Sequence, residues 1–72
     1  MKLTTYFCRL RDFRLATGLT QSELASLVGC SKNTISSIER EEFRPSLDLA
    51  LRLSDALSVP LRLLFHFSYE VL

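Results

Sequence analysis

The sequence predicts a small, mainly α-helical domain with an extended segment at each end. Three observations carry that prediction. Apolar residues recur at helical spacing through the middle of the chain, cap residues and turn glycines punctuate the periods, and at both ends the period changes to two.

The elements follow in order. Leu3, Thr5 and Phe7 alternate with Lys2, Thr4 and Tyr6, which predicts a strand over about 2–7 with the first three on one face. "CRLRDFRLAT" then places Leu10 and Phe13 at i, i+3 in a helix ending at Gly18. In "TQSELASLVG", Thr20 and Glu23 have the spacing of a capping box, in which each side chain satisfies a backbone N–H of the other's residue. Leu19 and Leu24 fit a hydrophobic staple around it. Leu24, Ala25 and Val28 share a face, and Gly29 is placed to stop the helix with a positive φ. "CSKNTISSIER" begins the next helix, with Ser31 as its N-cap. Ile35 and Ile38 point one way, and Lys32, Asn33, Ser36, Ser37 and Arg40 cluster on the other side.

After Pro45, Ser46 can cap "LDLALRLSDAL", whose Asp48 suits the helix dipole and whose apolar residues cover nearly two faces. Ser58-Val59-Pro60 leads into a short turn, "LRLLF". Phe65, Phe67, Tyr69 and Val71 then alternate with His66, Ser68 and Glu70, a second strand over about 65–71. A two-stranded piece is marginal alone, so it should lie against the helices or pair with another subunit.

Seventy-two residues, 47% hydrophobic and 24% charged, read as one folded domain over 1–72, too short to include a separate ligand-sensing domain. At this size about 60% of the chain's surface is buried, so the stability margin is modest and a second subunit would help. No apolar run approaches the ~18 residues of a membrane span and no leader pattern is visible, which predicts a cytoplasmic protein. Cys8 and Cys30 lack C-x-x-C spacing and His66 is the only histidine, so reduced thiols are expected and neither zinc nor any cofactor. No nucleophile–base pair, paired acids or phosphate-cradling glycine loop suggests an enzyme or any catalytic residue. The net charge of +1 hides an asymmetry: residues 1–40 carry six basic against three acidic side chains, and residues 41–72 carry three against five. A polyanion should meet the first half.

Two short helices joined by a glycine turn, the second with a polar outer face, form a helix-turn-helix over 20–40, a unit that places its second helix in the major groove of DNA. "LTQSELASLVGCSKNTISSIE" resembles the motif of the Cro/C1-type (XRE) family of phage and bacterial repressors, with Gln21, Leu24, Ala25, Val28, Gly29, Ile35, Ile38 and Glu39 at matching positions. "RPSLDLALRLSDALSVPLRLLF" is similar to the family's fourth and fifth helices. The polarity of an exposed helix is unremarkable alone; the motif gives it meaning.

The resemblance implies a five-helix, lambda-repressor-like domain beside a small antiparallel sheet of the two ends. It also implies a twofold dimer that binds a near-palindromic double-stranded operator without a small-molecule ligand. Lys32, Asn33 and Ser37, with Ser36, match the family's base-reading positions; Gln21, Ser31, Thr34, Arg40 and Arg44 would meet the DNA backbone. Lysine can donate to guanine O6 and N7, and asparagine can pair with adenine N6 and N7, which makes Asn33 the leading specificity candidate. Arg14 and Glu39 match a family ion pair between the first and third helices. Glu41 and Glu42 depart from the family, which often has glycine or asparagine and basic residues there, so fewer phosphate contacts are expected. Leu63, an apolar residue where acidic ones are common, would join Phe65, Phe67 and Tyr69 in a dimer patch. A second class of function, an antitoxin-like or adaptor protein, would instead offer "LLFHFSYEVL" to a different polypeptide by β-augmentation.

Overall fold

The computed structural model describes residues 1–71. They run β1 (Lys2–Cys8), α1 (Leu10–Thr17), α2 (Gln21–Val28), α3 (Lys32–Glu39), α4 (Leu47–Leu57), α5 (Leu61–Leu64) and β2 (Phe65–Glu70). The mainly helical class with a terminal antiparallel ribbon is the one expected. No helix among the described residues is long and apolar enough to cross a membrane.

Local chemistry sets the helix starts. Thr20 and Glu23 form both halves of the capping box: Glu23 N donates to Thr20 Oγ1 (3.0 Å) and Thr20 N donates to Glu23 Oε1 (2.9 Å). These hydrogen bonds to the carboxylate hold Glu23 below its ordinary pKa. Ser31 Oγ accepts from Thr34 N, and Ser46 Oγ accepts from Leu49 N.

One device sets four helix ends. Leu19 N donates to Arg14 O (3.3 Å), Cys30 N to Ala25 O (3.0 Å), Glu42 N to Ser37 O (3.0 Å) and Val59 N to Ser54 O (3.1 Å). Each is the reach-back of a Schellman turn, whose penultimate residue must be left-handed. Gly18 (φ 79°) and Gly29 (φ 75°) occupy that position at α1 and α2, but Glu41 (φ 62°) and Ser58 (φ 54°) occupy it at α3 and α4. A Cβ is strained in this conformation by roughly 1–2 kcal/mol.

Leu10, Leu24, Ala25, Val28, Ile35, Ile38, Leu49, Ala50, Leu53, Leu57, Leu64 and Phe65 form one core. The apolar faces predicted for α2 and α3 are all in it. On α4 only one face is covered, and Leu47 and Leu51 remain exposed.

The ribbon departs from expectation in two ways. A register shift between Leu3 and Thr5 interrupts the alternation, so Leu3, Tyr6 and Cys8 pair with Tyr69, Phe67 and Phe65. Phe7 is thereby turned to the other side, where it stacks on His66 at 4.6 Å. Phe65, expected in an exposed patch, is only 5% exposed because the ribbon begins inside the core, whereas Phe67 (43%) and Tyr69 (55%) lie beyond it.

Glu41→Gly should stabilise the fold by about 0.5–1 kcal/mol, the relieved strain less the added chain entropy. Gly29→Ala should destabilise it by more than that, since the new Cβ would be left-handed and 3.3 Å from Arg52 Nη1. Urea unfolding of the two variants reads both.

Candidate nucleic-acid interface

The outer face of α3 is the candidate site, and a buried polar cluster holds it in place. Glu39, at the last turn of α3, accepts from Arg14 Nε (2.6 Å) and Nη2 (3.2 Å) on α1 and from Gln21 Nε2 (2.9 Å) on α2. Arg14 Nη1 donates to Leu19 O (2.8 Å), so the guanidinium is satisfied within the fold although Arg14 is only 7% exposed. The ion pair expected between Arg14 and Glu39 is therefore present, and it is bidentate.

Gln21 opens α2, as expected, and is tied into the same cluster. One hydrogen of its amide nitrogen goes to Glu39, which leaves the second and the backbone N–H at the start of α2 as donors for a phosphate. Ser31 and Thr34 are also engaged, their hydroxyls 2.9 Å apart within the α3 cap.

Arg40 is engaged within the chain as well. Its Nε and Nη2 donate to both Glu42 oxygens at 3.0 Å, and its Nη1 donates to Ser36 Oγ. The Glu42 carboxyl is held below its usual range by that guanidinium. Arg40 and Ser36, expected as a DNA contact and a base reader, thus serve each other first. Glu42, expected to reduce phosphate contacts, neutralises the cation beside the outer face of α3.

Lys32, Asn33 and Ser37 remain. Among the described residues their side chains make no hydrogen bond; Lys32 and Asn33 are exposed and Ser37 is half-buried. Asn33 and Ser37 are one helical turn apart and, with Thr34 and Phe43, line a shallow concavity of about 250 Å³. Arg44 lies with its guanidinium 4.5 Å from the Tyr6 ring, anchored to β1 by a cation–π contact.

Two contributors were missed from sequence. Phe43 belongs to the same concavity as Asn33, and its signal was a large apolar residue between two charged ones in a turn. Arg52 on α4 donates from Nη1 to Val28 O, capping α2 at the turn, and from Nη2 to Asp48 Oδ2 (2.8 Å). Asp48 at i−4 is visible in sequence, whereas the reach to α2 requires the fold. No cluster of three metal-ligating side chains occurs among the described residues.

A bundle with a glycine-turned helix pair and a polar outer face on its second helix defines a helix-turn-helix DNA-binding domain. The helix-turn-helix family model matches residues 10–64, and the chain belongs to this Cro/C1-type family of transcriptional regulators. It is 39% identical over 64 residues to an uncharacterized HTH-type transcriptional regulator of Archaeoglobus fulgidus, covering 89% of this chain and 91% of that one. Among solved structures it is similar to the restriction-modification controller protein C.AhdI from Aeromonas hydrophila (TM-score 0.71, 39% identity, 75% of this chain and 82% of that one). It is also similar to the P22 c2 repressor in complex with a synthetic operator (TM-score 0.73, 35% identity, 75% and 82%).

Glu39→Ala should cost about 3–5 kcal/mol, because it leaves the Arg14 guanidinium buried without its partner. Replacing both residues, as Arg14→Met with Glu39→Leu, should restore most of that stability. Chemical denaturation of the single and double variants gives the comparison.

Proposed function

We propose that the protein is a sequence-specific, double-stranded DNA-binding regulator that acts as a repressor on a near-palindromic operator, bound as a homodimer. The observation that carries this reading is the set of side chains without internal partners, Lys32, Asn33 and Ser37, on a helix fixed at its far end by Glu39. An amide and an ammonium held in that way suit adenine and guanine edges in the major groove. Lys32, Asn33 and Ser37 read bases, with Ser36 available if Arg40 turns away. The backbone N–H groups at the start of α2, the α3 cap at Ser31 and Thr34, and Arg44 meet phosphates, and Arg40 joins them only when released from Glu42.

The dimer is supported by the exposed apolar side chains Phe67 and Tyr69 on the ribbon and Leu63 (44% exposed) on α5, just before it. Phe65 braces this patch from the core. In the dimer the two α3 helices would lie about 34–36 Å apart, one turn of DNA.

Selection from randomised duplex DNA at stated salt tests the proposal: an inverted repeat is expected, and recovery of no repeat would sink it. Asn33→Ala should cost about 1–3 kcal/mol at one base pair of each half-site, while loss of the Arg44 side chain should weaken all sequences alike. Glu42→Ala should free the Arg40 guanidinium, raising affinity and steepening the log–log salt dependence by about 0.9 for each added phosphate contact. Light scattering should find a dimer that Tyr69→Lys converts to monomer; a wild-type monomer would contradict the operator geometry.

A further inference from the structure

We propose that Phe43 is a specificity-determining residue: with Asn33, Thr34 and Ser37 it forms a receptor for the C5-methyl group of a thymine in the major groove. This rests on the DNA-reading role proposed for α3, and it names one feature of the base sequence that the role selects.

The backbone sets the position of the ring. Glu41 in the left-handed region and the bond from Glu42 N to Ser37 O reverse the chain at the end of α3. Residue 43 is thereby returned alongside the helix it has just left. Phe43, from the loop after α3, shares the concavity beside the helix with Asn33, Thr34 and Ser37.

The ring lies outside the hydrophobic core. Phe43 is 48% exposed, and it is absent from the partly buried hydrophobics that pack on the core, namely Tyr6, Cys8, Phe13, Leu19, Cys30, Val59 and Leu61. It stands between the charged residues Glu42 and Arg44. An apolar ring on a DNA-reading surface gains free energy only when an apolar group covers it.

Duplex DNA offers one such group in the major groove. Beside the hydrogen-bond donors and acceptors displayed there, the thymine methyl is the one bulky apolar group, cytosine offering only a C5–H at the same position. The neighbouring Asn33 fits the same assignment, since its free amide suits the adenine N6 and N7 edge. An A·T pair, or two adjacent ones, presents an adenine edge and a thymine methyl together, and the concavity joins the two side chains that would take them. Asn33 alone would accept adenine on either strand of a step, and the ring adds a preference for the strand on which the methyl faces it.

Deoxyuridine substitution tests this directly, because it removes the methyl and leaves base pairing intact. In the operator recovered by selection, each thymine is replaced in turn and binding to the whole protein is measured. One position per half-site should weaken about four-fold, the worth of one buried methyl. Phe43→Ala should lose about the same factor on the thymine operator, lose its sensitivity to deoxyuridine at that position only, and unfold in urea as the wild type does. Phe43→Leu should keep part of the sensitivity. A pool offering that position as thymine or 5-methylcytosine separates the two bases that carry the group, and selection of methylcytosine overturns the assignment to thymine. The proposal also fails if no thymine is sensitive, if Phe43→Ala keeps full sensitivity, or if it weakens every sequence equally. A wild-type protein that binds no duplex would instead overturn the DNA-reading role itself, a result distinct from binding without methyl sensitivity.

Discussion

The arrangement of the first three helices depends on the buried contact of Glu39 with Arg14 and Gln21. α3 has only two apolar anchors, Ile35 and Ile38, both fully buried. Two anchors on one stripe fix the depth of a helix but resist rotation about its axis only weakly. A carboxylate that accepts from two other helices is directional, and it fixes that rotation. Desolvation of the pair offsets much of its attraction, so its main physical contribution is orientation and not net stability. The outer face of α3 is presented at an angle set by α1 and α2.

The left-handed turn after α3 has a comparable reach. At α2 the same turn uses Gly29, and the next helix begins almost at once; at α3 it uses Glu41, and the chain doubles back along the helix. That return sets Glu42 against Arg40, and Arg40 against Ser36. It also delivers Phe43 to the side of Ser37. One reversal therefore subtracts a cation and a hydroxyl from the polar face and adds an aromatic ring to it.

What could be read from the sequence was what depends on neighbours along the chain. The Thr20 and Glu23 spacing gave the cap, Gly18 and Gly29 gave two helix ends, and the 3.6 period gave the buried faces of α2 and α3. The Arg14–Glu39 pair was reachable only through resemblance, since 25 residues separate its partners. The remaining features depend on shape. Glu41 carries no glycine signal for its positive φ, and the shift at Leu3/Thr5 inverts an alternation that looked regular. Periodicity shows which residues of β2 share a face but not where the core stops, so it does not separate Phe65 from Phe67. The Arg40–Glu42 contact needs the reversal between them, and Arg52 meets Val28 across 24 residues.

The charge asymmetry also takes a different meaning once the pairs are known. Of the six basic residues in the first forty, Arg14 is held by Glu39, Arg40 by Glu42, and Arg9 lies 3.9 Å from Asp12. Lys2, Arg11 and Lys32 are the ones without a carboxylate partner among the described residues. One protomer thus has few cations for phosphates, and its non-specific grip on DNA should be correspondingly weak, because that term scales with the number of phosphates neutralised. Two protomers on one operator double that number, and they double the base contacts as well. The ribbon has the matching deficit: it is two strands wide, and its aromatic side is uncovered beyond Phe65. In the proposed dimer a single association would cover that side and bring two reading helices onto one DNA duplex. Weak charge on α3 and an unfinished sheet then have the same remedy, and discrimination is left to Asn33 and its neighbours.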